Sequence, residues 1–154
     1  MSDIKIVLAD AHKEQMQNND VAKELKDVQA FFQDKHFLFK EGTVNFVILR
    51  GIYRHLERVL TIAGVFVNKT GKSIKGLKGN LKFDLKEKGN TKFPGIEFDF
   101  PQSFLGKLEN NAGFIIHINV PVEGLNKEKK VYDATELTGA VEDVEVVFDH
   151  NEIA

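Results

Sequence analysis

The chain has 154 residues, enough for one domain that buries roughly two-thirds of its unfolded surface without covalent help. Its net charge of −2 is an even mixture of 21 basic and 23 acidic residues, which argues against nucleic acid or an anionic membrane as partner, since both select a basic excess. Cysteine is absent, so disulfides, a thiolate nucleophile and Cys-ligated zinc or iron–sulfur sites are excluded.

Thirteen Phe and no Trp make Phe the main core filler, each ring burying on the order of 150–250 Å². Met1 to Ile6 contain no apolar run of signal-peptide length, and no stretch approaches the ~18–20 apolar residues that span a bilayer. The expectation is a cytoplasmic chain as given, or an extracellular one if a leader was trimmed. A single domain over 1–154 is expected, with a strand and helix in 1–40 and a β-sandwich in 41–154.

In chain order, Ile4, Ile6 and Leu8 alternate as in a short strand. Val21, Leu25, Val28 and Phe32 then recur at helical spacing. This predicts a helix over about 20–34, capped by Asn19 or Asp20, with its stripe continuing into Phe37, Leu38 and Phe39. Such a helix would lie on, or plug, one face or end of the sheet.

Beyond Gly42 the period becomes two. Val44, Phe46 and Ile48 share a face, Gly51 permits a bend before Tyr53, and Arg54 to Arg58 form a hairpin connection. Val59 to Val67 is almost continuously apolar, as expected of a central strand covered on both faces. Asn68-Lys69-Thr70-Gly71 supplies a turn, with Gly71 free to take positive φ.

Leu77, Leu81, Phe83 and Leu85 make the next strand, in which Gly76 and Gly79 mark a bulge or a close backbone approach. Lys86-Glu87-Lys88-Gly89-Asn90 is a turn, and Ile96, Phe98 and Phe100 alternate with Glu97 and Asp99. Pro101 to Gly113 is a loop anchored by Phe104, Leu105 and Leu108. Phe114, Ile116, Ile118 and Val120 form another strand. A charged connection over Leu125 to Lys130 precedes a last strand with Val144, Val146 and Phe148. Seven or eight strands with regular turn signals predict an immunoglobulin-like β-sandwich with one N-terminal helix.

The candidate chemistry is sparse. His12, His36, His55, His117 and His150 lie far apart, and none has a second His at ligand spacing. Glu97 and Asp99 share the face away from the Phe residues, so they read as a solvated sheet face rather than an acid–base pair. Gly71-Lys72-Ser73 resembles the end of a phosphate loop, but Phe66 stands where its first Gly is needed and a strand follows.

Lys69, Lys72, Lys75, Lys78 and Lys82 form a local basic stripe, of the kind that blocks aggregation at strand edges or meets an anionic partner. Neither catalytic residues, a cofactor nor a metal is expected. Lys69, Lys72, Lys75, Phe104 and Leu108 are the candidate protein-binding residues. An incompletely covered sheet edge would bind peptide by strand addition. The alternative is a small-ligand or carbohydrate module using the loops at Tyr53–His55 and Phe104–Leu108.

Several segments carry a family likeness. They are Ala11-His12-Lys13-Glu14-Gln15, the strand Lys40-Glu41-Gly42-Thr43-Val44-Asn45-Phe46 and the strand and turn from Val65 to Ile74. The hairpin Leu81 to Gly89 and the stretch Phe98 to Leu108 complete the series. Their order resembles the SLAP domain of S-layer assembly proteins in the accessory Sec system of low-GC Gram-positive bacteria. Related bacterial immunoglobulin-like modules share the plan. Where the family usually has a Pro-Trp pair, this chain has Gly113-Phe114-Ile115. The resemblance implies a non-catalytic accessory factor in assisted secretion or surface-protein assembly. It further implies a protein partner such as an accessory Sec ATPase or an exported surface protein.

Overall fold

A computed structural model describes residues 4–8, 18–34, 39–85, 95–125, 128 and 130–149. The alternating stretches become β1 (Lys5–Val7), β2 (Val44–Arg54), β3 (Val59–Asn68), β4 (Ile74–Leu85) and β5 (Ile96–Phe100), then β6 (Ala112–Pro121), β7 (Val131–Asp133) and β8 (Leu137–Phe148). The helices are α1 (Asn19–Asp34) and the short α2 (Gln102–Leu105). The strands form two sheets, ordered β1-β6-β3-β2-β7 and β5-β4-β8, whose inner faces enclose the main core. This is a β-sandwich.

Its antiparallel pairings β2–β3, β3–β6 and β4–β8 correspond to the A–B, B–E and C–F pairs of an immunoglobulin-like sandwich. In that frame β5 is an extra strand beside C, and β1 joins the far side of β6 in parallel. In an immunoglobulin domain F lies between C and G. Among the described residues β8 has β4 on one side and no strand on the other.

Phe fills the centre as composition predicts. Phe66 is fully buried, with the rings of Phe46, Phe98, Phe114 and Phe100 at centroid distances of 4.8, 4.9, 5.3 and 5.5 Å. The other face of the five-stranded sheet carries α1. Val28 and Phe32 pack there with Ile4, Ile6, Val65, Val67 and Ile115 in a second core. Covered on both faces, β3 is buried from Ile62 to Asn68.

The helix therefore lies on a face and does not plug an end. Its cap differs from the expectation by one position. Asn18 Oδ1 accepts the backbone N–H of Asp20 (2.8 Å) and of Val21 (3.4 Å), the orphan donors of a first turn. Of the residues expected to continue its stripe, Phe39 packs against the second core, whereas Phe37 and Leu38 lie outside the described residues. So does the expected turn at Lys86 to Asn90.

Three other expectations change. The bend in β2 is a bulge between Ile48 and Arg50, not a property of Gly51. Gly51 instead makes room, since a Cβ there would lie 3.1 Å from Leu60 Cδ1 and 3.2 Å from Leu137 Cδ1. The loop at Pro101 contains α2, with Phe104 stacked on Phe100 at 5.1 Å. Strand β7 and the first half of β8 occupy a stretch that showed no strand signal. At Gly79, by contrast, both expected features coincide. The β4–β8 register shifts beside it, and a Cβ would come within 3.0 Å of Glu142 O.

The turn after β3 is built on Asn68, which is fully buried. Its Nδ2 donates to Lys72 O (2.8 Å) and Leu108 O (3.0 Å), and its Oδ1 accepts from Thr70 N (3.0 Å) and Thr70 Oγ1 (2.7 Å). Gly71 takes φ 91°, a conformation that costs glycine nothing. One side chain thus closes the turn and ties it to the loop before β6.

Candidate functional site

The expected binding residues do not form one surface. Leu108 is 1% exposed and exchanges backbone hydrogen bonds with Ile74 (2.9 and 2.8 Å), so it is core. Phe104 is half-buried within the Phe100 stack. Lys69 is engaged internally: its Nζ donates to Asn111 Oδ1 at 2.7 Å, lies 3.6 Å from Glu41 and 5.7 Å over the Phe39 ring. Lys72 reaches over Phe148 at 5.8 Å. Lys75 rims a shallow hollow above Gly76, with Asp99, Pro101 and Val147.

The lysines of the stripe that lie on β4, Lys75, Lys78 and Lys82, are not guarding an edge, because β4 is the middle strand of its sheet. Lys78 and Lys82 instead pair with Glu145 (3.3 Å) and Glu142 (3.0 Å) on β8. These are exposed ion pairs of the weak kind, and their geometry orients the carboxylates of the last strand.

The two loops proposed for a small ligand sit at opposite ends of the sandwich. Tyr53 pairs with Leu60 at one end of β3, whereas Leu108 is tied to Asn68 at the other. Eight residues of strand separate these ends, on the order of 25–30 Å, so the loops cannot converge on one molecule. At the first end, Tyr53 Oη and His55 Nδ1 are 3.0 Å apart, with Arg58 Nη1 at 3.1 Å from the same ring.

His117 lies 3.2 Å from Glu24, which also lies 3.6 Å from Arg50. These contacts fasten α1 to β6 and β2 beside a hollow of about 470 Å³ with an apolar floor of Val28, Phe31 and Leu49. Of the charges around it, Glu24 answers Arg50 across the helix–sheet seam, while Lys23 and Asp27 pair along α1 at 3.4 Å. His12, His36 and His150 lie outside the described residues. Among the described residues no group of three or more His, Asp or Glu could hold a metal ion, and no helix is long and apolar enough to cross a membrane.

The sheet edges differ in a way that sequence reasoning only partly anticipated. At β1 the edge is covered from the helix: Gln29 Oε1 accepts Ile6 N–H (2.8 Å) and Gln29 Nε2 donates to Ile4 O (2.9 Å). On β2, the Arg50–Ile52 stretch pairs with β7. Nearer the start of β2, the Asn45 side chain accepts Lys40 N–H and donates to Lys40 O, both at 2.9 Å.

The edge of β8 has no such cover among the described residues. Its 12 residues present, on alternate positions to either side of the irregularities in the β4–β8 register, backbone N–H and C=O groups directed away from β4. Between β8 and the start of β2 runs a wedge of about 450 Å³ lined by Val44, Phe46, Val141 and Val144, with Lys40 and Asp143 at its rim. The wedge is pinched where a Cβ on Gly139 would lie 2.7 Å from Ile48 Cδ1. Of the inward side chains on β8 only Leu137 is buried, while Val141, Val144, Val146 and Phe148 keep part of their surface in water.

The signal that would have found this edge is the alternation Leu137, Gly139, Val141. It is masked because its middle member has no side chain. No protein-family model, no curated protein and no solved structure matches this chain, so its own geometry carries the functional argument.

Proposed function

We propose that this chain is a non-catalytic protein-binding module that holds an extended segment of another polypeptide at an open sheet edge, as an accessory factor in assisted secretion or surface-protein assembly. The observation that carries the binding mode is the β8 edge, uncovered among the described residues, beside half-buried core side chains. An added strand satisfies edge backbone groups and removes apolar surface from water in one step. Support for the biological setting comes from the SLAP-like order of strands and turns.

The test is retention of partners by the immobilised chain. An accessory Sec ATPase and an unfolded surface-protein precursor are presented beside a sandwich of known peptide-binding ability. Retention of either, competed by free precursor peptide, is the expected outcome. Loss of both while the control binds removes this reading.

A further inference from the structure

We infer that β8 accepts the added segment as an antiparallel strand alongside Ala140–Val146, and that the segment carries apolar residues at alternate positions and Lys or Arg on its outward face; this inference rests on the protein-binding reading above. Three observations select that occupant. The first is the edge itself. Backbone donors and acceptors on either side of the Asp143 bulge are matched by an extended polypeptide backbone, and antiparallel pairing is the slightly stronger ladder. It is also the direction of the strand that normally flanks F in an immunoglobulin-like sheet.

The second is which bank of the wedge is free. Ahead of β2 the Asn45 amide occupies Lys40 N–H and C=O, and along β2 the Arg50–Ile52 stretch is taken by β7, so among the described residues the longer unpaired ladder is on the 12-residue β8. The guest's inward side chains then enter beside Val141, Val144 and Phe46.

The third is charge. Three of the four residues from Glu142 to Glu145 are carboxylates. Lys82 and Lys78 meet Glu142 and Glu145 from the β4 side only, and those carboxylate side chains remain 48% and 70% exposed. Asp143, at φ 53° in a bulge, meets only Asn80 Nδ2 at 3.4 Å among the described residues. Cross-strand opposite charges are favourable and like charges are not. A guest strand with outward cations therefore fits, and pairing of β8 with β8 of a second copy sets carboxylates against carboxylates. The bulge and the acids are devices that keep an edge from indiscriminate pairing, so a guest must answer both.

The experiment titrates the full chain, labelled for NMR, with three short peptides of about seven residues: alternating Val and Lys, alternating Val and Glu, and the Val/Lys composition with its valines consecutive. The Val/Lys peptide is expected to slow amide exchange from Ala140 to Val146. The other two should bind about tenfold more weakly. The double variant E142Q/D143N, checked by an unchanged thermal midpoint, should lose the preference for Lys over Glu.

Protection appearing on β5, β7 or α1 overturns the assignment to β8 while leaving the protein-binding reading intact. Equal binding of the Lys and Glu peptides overturns the charge argument. Protection of β8 that grows with protein concentration and no peptide identifies a second copy as occupant and overturns the inference. Failure of every peptide while the precursor is still retained overturns the inference alone. Failure of both overturns the inference together with the reading beneath it.

Discussion

The two sheets of this sandwich bury their strands to different degrees. In the five-stranded sheet β3 and β6 lie between the Phe-rich core and α1, and Leu60, Ile62, Phe66, Phe114 and Val120 are all at or near complete burial. At the β1 edge Gln29 substitutes for a missing neighbour. In the three-stranded sheet the outer face is a ladder of charged pairs, and β8 ends the sheet with its inward side chains half wet. Burial is deep in β3 and β6 of the first sheet and in β4 of the second, and falls off along β8. The difference teaches that function is to be sought where the fold stops short of closing, since binding needs groups whose partners are not yet supplied.

The largest effect is expected at the centre of the closed sheet. Phe66→Ala removes the ring around which four others pack, and should cost about 3–5 kcal/mol in denaturant unfolding. A smaller loss would mean that the closed sheet is not the stabilising half.

Next comes Asn68→Ala, which strips partners from Leu108 O, Lys72 O and Thr70 N–H. About 2 kcal/mol is expected, together with faster amide exchange at the turn. Gln29→Leu keeps the apolar body but frees Ile6 N–H and Ile4 O, for roughly 1 kcal/mol. Its diagnostic is an Ile6 amide that exchanges sooner and a new tendency to self-associate through β1.

The smallest effect is predicted for Val144→Ala, where a half-exposed side chain should lose less than about 1 kcal/mol. That same substitution should weaken binding of an extended apolar peptide more than it weakens folding. A large stability loss at Val144 would show that β8 is as closed as β3 and would erase the contrast.

Much of the closed sheet was legible in the chain because its signals are local. Val59 to Val67 reads as a doubly covered strand, Val21, Leu25, Val28 and Phe32 as one helix face, and Asn68 to Gly71 as a turn. The open edge was harder to see. Along β8 the inward positions run Leu137, Gly139 and Val141, then shift parity at the Asp143 bulge to Val144, Val146 and Phe148. A bulge inserts one residue and so breaks the period of two on which strand recognition depends. The same parity change across Ile48 and Arg50 in β2 was mistaken for a bend at Gly51.

The candidate residues fared according to whether their role was local. Lys69, Lys72 and Lys75 are near one another in sequence, as are Phe104 and Leu108, but Leu108 is drawn into the core by Ile74 and Lys69 into the Asn111–Glu41 contact. The availability of these two depended on partners distant in sequence.

What the amino-acid order determined by itself is the alphabet of elements: alternating strands, one amphipathic helix, a Phe core and an Asn-closed turn, each written in residues within a few positions of one another. Long-range pairing, by contrast, sets which strands end each sheet and which edges lack a described neighbour. Gln29 reaches β1, Asn45 folds back on Lys40, and among the described residues β8 receives neither. Edge identity is a property of long-range pairing, whose partners are chosen after the chain has folded on itself, and no local period encodes it.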